Sequence, residues 1–307
     1  MVVYSVLSNA SDTQYVRVYT TYNPPANNPA NQSDENQVRD AVVTLSDGVR
    51  STTFLDTTVT RPDKSRYPSD IKLSYIFPFR VEPKKLYSLT VSSPTYGTVS
   101  VTTVTPDSGE FTFPPDLIFY LLDPWVWLRD PGHYPYRDVL SAGVSLSAFT
   151  RGYRIRYVVY FQAESFPLRQ VVHQSVEIPV SIRKVVQSTN LNFVPAYPVV
   201  KSNVGSTGMA ITLYSYMASI YNNNADNFNV QYDRGVFYLY QYDAALTNYY
   251  ETVSAYQDPH TVRSDNFDYT NIPGGAGVFG SLLVDSLVVQ LPLHMNPPNI
   301  GGHIWAP

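Results

Sequence analysis

Cysteine is absent from the 307-residue sequence, which excludes disulfide bonds, thiolate zinc sites and a cysteine nucleophile. Charge is also scarce, since charged residues make up 15% of the chain and the formal net charge is −4. A small negative net charge provides no positively charged surface for a phosphate backbone, so we expect no nucleic-acid partner. No apolar run approaches the roughly 20 residues of a transmembrane helix, so no transmembrane segment is predicted.

The sequence motifs of several enzyme classes are also missing. There is no G-x-S-x-G or H-E-x-x-H motif, no phosphate-binding glycine loop ending in Lys and Ser or Thr, and no EF-hand loop. The five histidines are scattered along the chain without the spacing of metal ligands. These absences favour a protein with no catalytic residues and no cofactor.

Two acidic segments carry oxygen ligands of the kind that calcium prefers. One is residues 33–36, and the other contains Asp265 and Asp268, with Asn271 close by. Neither has the alternation of a known calcium loop, and acidic loops are usually only solvated. We therefore predict no metal site, and Asp265 and Asp268 are weak calcium candidates.

Tyrosine and proline are abundant, with 26 and 24 residues, and this favours short strands joined by ordered loops. Residues 2–7 and 15–21 alternate in polarity and predict a first hairpin, and Asp47-Gly48 is a strong signal for a second. A third is predicted at residues 87–101. About seven short strands with regularly spaced turns predict an immunoglobulin-like β-sandwich.

A segment marked by proline and glycine, residues 105–109, ends this pattern and is typical of a domain boundary. We assign the immunoglobulin-like β-sandwich to residues 1–105 and a second β-rich domain to residues 106–307. The second domain is predicted to be a sandwich or an open barrel that carries one or two short helices. The expected fold class is mainly β.

Residues 235–291 are predicted to form a strand, a helix, a glycine turn and a second strand. The helix lies near residues 243–257, where Asp243 is placed to cap the first turn. Apolar residues recur on one face of this helix, at Leu246, Tyr249, Tyr250, Val253 and Tyr256. Such a stripe is typical of packing against a sheet.

The glycine turn matches the bare G-x-G-x-x-G pattern of dinucleotide-binding folds at Gly275, Gly277 and Gly280. In those folds the motif follows a strand and opens a helix, whereas here it follows a loop and precedes a strand-like run. We therefore interpret Gly274 and these three glycines as structural positions of a sharp turn into a buried strand.

One aromatic group is a candidate binding site. Trp125, Trp127, Tyr134 and Tyr136 lie in a segment bracketed by prolines. Flat rings stack on sugars or accept a partner's side chains, and tryptophan and tyrosine dominate binding hot spots. The alternative is that these rings pin the loop to its own domain.

Several segments resemble an uncharacterised family of Bacteroidota envelope lipoproteins, a domain of unknown function. Residues 2–8 and 14–19 look like its opening strands, and residues 41–48 and 86–97 look like its next two blocks. Residues 271–280, with the Tyr249-Tyr250 helix, resemble its C-terminal signature most closely.

The resemblance implies a location in the cell envelope, at the outer membrane or the extracellular surface. Family members usually carry an export signal and a lipidated cysteine and are often encoded beside TonB-dependent transporters. This sequence has neither an export signal nor such a cysteine, so either the protein is cytoplasmic or, as the resemblance implies, a leader and a lipid anchor lay on a removed segment ahead of residue 1. It assigns no catalytic residues.

The first functional hypothesis is a non-enzymatic envelope protein that contacts a protein, such as a TonB-dependent transporter, or a glycan. The second is a structural subunit of an extracellular fibre, surface layer or shell, which repeated tyrosine-rich β-domains would suit. The third is a glycan hydrolase, which needs two carboxylates that face one cleft. The carboxylate candidates for it are Asp123, Asp130, Glu164 and Glu177.

Overall fold

The computed structural model describes residues 1–21, 36–65, 68–112, 139–165, 170–178, 181–185, 199–205, 228–255 and 269–290. Over these residues the protein is mostly β, with several sheets and one short helix, as the sequence predicts. The largest sheet within the described part of the chain has eight strands, in the order β12-β11-β15-β16-β1-β2-β6-β5 as bounded below.

In chain order the first strands are β1 (Val2–Ser8), β2 (Gln14–Tyr19), β3 (Val42–Ser46), β4 (Ser51–Thr53), β5 (Leu55–Val59), β6 (Ile71–Ile76), β7 (Leu86–Ser93) and β8 (Gly97–Val104). The next are β9 (Glu110–Thr112), β10 (Val139–Ser145), β11 (Gly152–Ser165), β12 (Val171–Ile178), β13 (Ser181–Val185), β14 (Val199–Gly205) and β15 (Phe228–Tyr242). The helix α1 (Ala244–Ala255) and the strand β16 (Ala276–Gln290) follow.

Strands β1 to β8 form the two sheets of an immunoglobulin-like sandwich. One is the β1-β2-β6-β5 part of the eight-stranded sheet, and the other is the sheet β4-β3-β7-β8, with antiparallel pairing within each. In immunoglobulin terms these are strands A, B, E and D facing strands C′, C, F and G. The chain changes sheets at Phe54, which is buried between β4 and β5.

The core of this sandwich follows from period-two alternation. On β7, Tyr87, Leu89 and Val91 are buried, and the serine and the threonine between them are not. Val3 on β1 and Val16 on β2 belong to the same buried cluster from the opposite sheet. The two apolar faces therefore meet and exclude water, which is the main stabilising contribution.

The predicted hairpin at Asp47-Gly48 is confirmed. Ser46 pairs with Ser51, and the Oδ1 atom of Asp47 accepts hydrogen bonds from the backbone N–H groups of Val49 and Arg50, at 3.0 and 2.7 Å. An aspartate that bonds its own turn in this way favours a tight connection.

The strand, helix, turn and strand predicted near the C-terminal end are β15, α1, the glycine turn and β16. The Oδ1 atom of Asp243 accepts a hydrogen bond from the N–H group of Leu246 at 2.7 Å, so Asp243 caps α1. Strand β16 then pairs in parallel with β1, with Val2 opposite Ala276.

Contacts divide the chain into two compact units. The first is Met1–Ser108, Ser147–Tyr153 and Tyr240–Val284, and the second is Gly109–Leu146, Arg154–Leu239 and Asp285–Pro307. Helix α1 and the glycine turn lie in the first unit, because β16 pairs with β1. The domain boundary predicted from the sequence placed them in the second domain, residues 106–307.

The described part of the second unit is also β-rich. Strands β11 and β12 pair in antiparallel fashion, and β13, β14, β10 and β9 form a further sheet in that order. The ring centres of Tyr157 and Phe237 are 4.4 Å apart, and both side chains are fully buried. This ring pair anchors the core of the unit.

Candidate functional site

Several residues proposed from the sequence lie outside the described residues. These are the aromatic candidates Trp125, Trp127, Tyr134 and Tyr136, the calcium candidates Asp265 and Asp268, and the carboxylates Asp123 and Asp130.

Two further candidates make contacts within the protein: Glu177 of the hydrolase hypothesis and Asn271 of the calcium hypothesis. Glu177 pairs with Arg156, with 2.7 Å between Oε2 and Nη2, and with Arg154 at 3.5 Å. The hydrogen bond from Arg156 holds the pKa of Glu177 below its ordinary value, so this carboxyl is not a poised general acid. Asn271 bonds the backbone of Phe279 with both its Oδ1 and Nδ2 atoms, at 2.9 and 2.7 Å.

The glycines of the predicted turn shape the start of β16. Gly274 and Gly277 have φ angles of 72° and 103°. A Cβ atom at Gly275 would lie 2.8 Å from the carbonyl oxygen of Met1, and one at Gly280 would lie 3.0 Å from the Cβ atom of Leu246. Atoms of neighbouring elements, the backbone of Met1 and the side chain of Leu246, therefore occupy the space beside these two glycines.

The most distinctive surface of the first unit is the outer face of the β1-β2-β6-β5 sheet. Since Val3 and Val16 point into the core, alternation places Tyr4, Tyr15 and Arg17 on the opposite face. We call this surface the tyrosine face and define it by Tyr4, Tyr15, Arg17, Tyr19, Leu55, Leu73 and Tyr75.

Helix α1 contacts one side of the tyrosine face. Tyr249 meets the ring of Tyr4 edge-on, with 5.9 Å between ring centres, and Tyr4 stacks on Tyr19 at 5.8 Å with an interplanar angle of 9°. Leu246 lies against Gly280 of β16. The helical stripe predicted from the sequence therefore packs on this sheet, through Leu246 and Tyr249.

The other side of the tyrosine face is open to solvent. Tyr15 on β2 pairs with Tyr75 on β6, which pairs with Leu55 on β5, so the three side chains form one cross-strand row. Tyr15 is 47% exposed and Leu55 is 60% exposed. An antiparallel sheet with one buried face normally presents polar residues on its outer face, so this apolar row is a candidate binding surface.

A shallow groove of about 420 Å³ lies on the tyrosine face beside the β1–β2 turn. Its walls include Tyr4, Val6, Ser8, Ser11, Tyr15 and Arg17. This volume falls within the range of about 300–1,000 Å³ that is usual for small-ligand sites.

Gln14 holds the rim of the groove in one shape. Its side chain is buried, its Oε1 atom accepts a hydrogen bond from the N–H group of Ser8 at 2.9 Å, and its Nε2 atom donates to the carbonyl oxygens of Ser8 and Ser11 at 2.9 and 2.7 Å. One side chain therefore connects the two ends of the turn and restrains its backbone. A restrained turn loses less conformational entropy when a ligand binds.

The described lining of the groove is almost uncharged. Arg17 is the single charged residue among the described residues of its lining, and its guanidinium carbon lies 5.3 Å from the ring centre of Tyr19. Burial raises the pKa of the Tyr19 phenol above its ordinary value, and Tyr4 adds to the effect. The Tyr19 phenol is therefore neutral at physiological pH.

A second polar cluster in the first unit surrounds the buried Asp243. Its Oδ2 atom accepts hydrogen bonds from the N–H group of Ser281 at 2.7 Å, from the Ser281 hydroxyl at 3.0 Å and from the Thr103 hydroxyl. Burial raises the pKa of Asp243, and these hydrogen bonds act in the opposite direction. The carboxylate ties α1, β8 and β16 together, which is a structural role.

Metal and membrane features are limited in the part of the chain that the structure describes. No group of three or more His, Cys, Asp or Glu side chains there could hold a metal ion. No helix among the same residues is long and apolar enough to span a membrane. The chain matches no protein-family model and no curated protein.

The sequence analysis missed the tyrosine face. The available signal was that β1 and β2 carry large residues on both faces, with Tyr4, Tyr15 and Tyr19 between the core valines. A hairpin in a sandwich normally has one polar face, so two apolar faces indicate contacts on both sides. Only the pairing of β2, β6 and β5 shows that these residues form one continuous surface.

Proposed function

We propose that this protein is a non-catalytic binding protein that acts through the tyrosine face of its immunoglobulin-like sandwich. The observation that carries the proposal is the row of Tyr15, Tyr75 and Leu55, of which Tyr15 and Leu55 are exposed, on a sheet face where polar residues are the norm. Tyrosine is enriched at binding hot spots because its ring is large and its hydroxyl group tolerates water.

We place this binding protein in the cell envelope, at the outer membrane or the extracellular surface. The support is the resemblance of residues 2–8, 41–48, 86–97 and 271–280 to the Bacteroidota lipoprotein family. The family's association with TonB-dependent transporters makes such a transporter the proposed protein partner, and a glycan is the proposed alternative ligand.

A photo-crosslinking experiment in the native host tests the binding surface. A photoreactive phenylalanine analogue replaces Tyr15, and a control variant carries it at Tyr96, which is similarly exposed at 51% but lies in the β7–β8 turn. We expect a discrete crosslinked product from position 15 and none from position 96, in the envelope fraction. Equal products from both positions, or none from position 15, would contradict the proposal.

A further inference from the structure

We propose that strand β5 is a dimerisation edge, at which two copies of this chain pair their β5 strands in antiparallel fashion about Thr57. The sandwich sheet then continues from one copy into the other. The contact uses the edge of the sheet, so it goes beyond the function assigned to the tyrosine face. Its basis is the exposure of β5, the lack of protection at this edge and the self-complementary order of its residues.

Strand β5 lies at the end of the eight-stranded sheet. Among the described strands β6 is its one neighbour, so the other backbone edge of β5 presents N–H and C=O groups without a strand partner in that part of the chain. Leu55 is 60% exposed and Val59 is 43% exposed. An edge strand with exposed apolar side chains is a template for pairing with another chain.

The other edge strands of the sandwich, β4 and β8, are less suited to pairing. Strand β4 has only three residues. At β8, the Ser281 hydroxyl donates a hydrogen bond to the carbonyl oxygen of Val104 at 3.4 Å, and a Cβ atom at Gly275 would lie 3.5 Å from the side chain of Val99. Short length limits the first edge and contacts from β16 and its turn limit the second.

Strand β5 lacks the residues that normally protect an edge. It contains no proline and no lysine. Its single charged residue is Asp56, whose carboxylate lies 3.0 Å from the Nζ atom of Lys72 on β6. The charge at this edge is therefore balanced within one copy, and a second copy meets little electrostatic repulsion.

The residues of β5 are self-complementary in one register. Two identical antiparallel strands related by a twofold axis place one residue opposite itself, because opposite residues share a face of the sheet. With Thr57 on the axis, Leu55 lies opposite Val59 of the second copy, and Asp56 lies opposite the uncharged Thr58. With Asp56 on the axis, two carboxylates would face each other. With Thr58 on the axis, Leu55 would have no opposite residue in β5.

In the Thr57 register the apolar row of the tyrosine face continues across the axis. Tyr15, Tyr75 and Leu55 form the row within one copy. Val59 of the second copy comes next, followed by Ile71, its pairing partner on β6. Pairing therefore brings Leu55 and Val59 of both copies into apolar contact and reduces their exposure to water.

Single-cysteine variants of the full chain test the register, because the protein contains no cysteine of its own. We expect Thr57→Cys to form a disulfide-linked dimer on mild oxidation, since directly opposite Cα atoms lie about 4.5–5.5 Å apart, which suits a disulfide. Thr58→Cys is the matched control and is more exposed. Its two copies are displaced by two residues, so their Cα atoms lie about 8 Å apart, too far for a disulfide. Equal crosslinking of both variants, or of neither, would overturn the register.

Sedimentation equilibrium tests the association itself. Five paired residues per copy form a small interface, so we expect a dissociation constant of about 10–100 μM for the wild type. Val59→Lys should weaken association by at least about tenfold, because a lysine at an edge strand opposes pairing. Val49→Lys is the control: Val49 is 88% exposed but lies in the β3–β4 turn, so this variant should associate like the wild type.

Two results would overturn the dimer. One is a wild-type protein that stays monomeric up to about 1 mM, well above the expected dissociation constant. The other is a Val59→Lys variant that associates as strongly as the wild type, which would place the contact elsewhere. Unchanged denaturation midpoints show that each variant is folded. Crosslinking from Tyr15 to an envelope partner is a separate result, so either proposal can fail while the other holds.

Discussion

Gly277, the second residue of β16, lies directly against the backbone of Val3, its pairing partner on β1. A Cβ atom at Gly277 would overlap the carbonyl oxygen of Val3 and would lie 2.8 Å from its carbonyl carbon. The φ angle of Gly277 is 103°, in a region that favours glycine. The G-x-G-x-x-G pattern is therefore explained by close strand pairing, with no need for a phosphate.

Gly277→Ala should destabilise the protein strongly. The substitution adds a steric overlap with β1 to a backbone strain of about 1–3 kcal/mol, so we expect a loss of about 3 kcal/mol or more in the free energy of unfolding. Gly48→Ala is the matched control, because its φ angle of 86° carries similar strain but a Cβ atom there would meet nothing within 4 Å. Chemical denaturation that gave equal losses for both variants would show that the contact with Val3 is unimportant.

Gly235 and Tyr157 form a second close contact, in the other unit. A Cβ atom at Gly235 would overlap the Tyr157 hydroxyl and lie 2.7 Å from the Cε2 and Cζ atoms of the ring, so Gly235→Ala should cost about 3 kcal/mol. The buried Tyr157 hydroxyl has no hydrogen-bond partner among the described residues. Tyr157→Phe alone should therefore be neutral or stabilising by up to about 1 kcal/mol.

A double-mutant cycle measures this coupling. Tyr157→Phe removes the atom that overlaps most with the new methyl group, so it should recover about 1 kcal/mol of the loss caused by Gly235→Ala. Equilibrium unfolding of the two single variants and the double variant gives the interaction energy. Strict additivity would mean that the ring and the glycine do not constrain each other.

Asp243→Asn should test the structural role of the buried carboxylate. The carboxylate accepts every one of its hydrogen bonds, so an amide group in its place sets an N–H donor against the N–H group of either Ser281 or Leu246. We expect a loss of about 2–3 kcal/mol in unfolding free energy, measured by urea denaturation. Asp40→Asn is the control: this carboxyl group is exposed and its side-chain partners are the hydroxyl groups of Ser93 and Thr95, so its loss should be clearly smaller than that of Asp243→Asn.

Glu177 should give a small pH-dependent contribution to stability. Its folded pKa is lowered by Arg156 and, more weakly, by Arg154, so the unfolded chain binds the proton more readily. The contribution is therefore present above the unfolded pKa of about 4.5 and is lost as the pH falls through the folded value.

The measurement compares Glu177→Gln with the wild type by urea denaturation at pH 7 and at pH 3. Because the Glu177 side chain is 40% exposed, we expect a difference of only about 0.3–1 kcal/mol at pH 7 and a smaller one at pH 3. A difference that grew as the pH fell would show that the ion pair is not the cause.

The features that depend on local chemistry can be predicted from the residues alone. The Asp47-Gly48 hairpin follows from turn geometry. The start of α1 follows from the capping carboxylate of Asp243. The sandwich core follows from alternation such as that of Tyr87, Leu89 and Val91. These signals lie within a few residues of one another, so they can be read without knowing what the segment touches.

Which surfaces are covered depends on contacts between segments that are distant in the sequence. No local pattern indicates that β16 pairs in parallel with β1 from the far end of the chain, or that Tyr249 meets Tyr4 while the Tyr15, Tyr75 and Leu55 row stays open. Burial on the outer face of a sheet depends on neighbours that are distant in sequence, whereas alternation fixes only which residues share a face. The candidate binding face therefore became visible only when β1, β2, β6 and β5 were assembled.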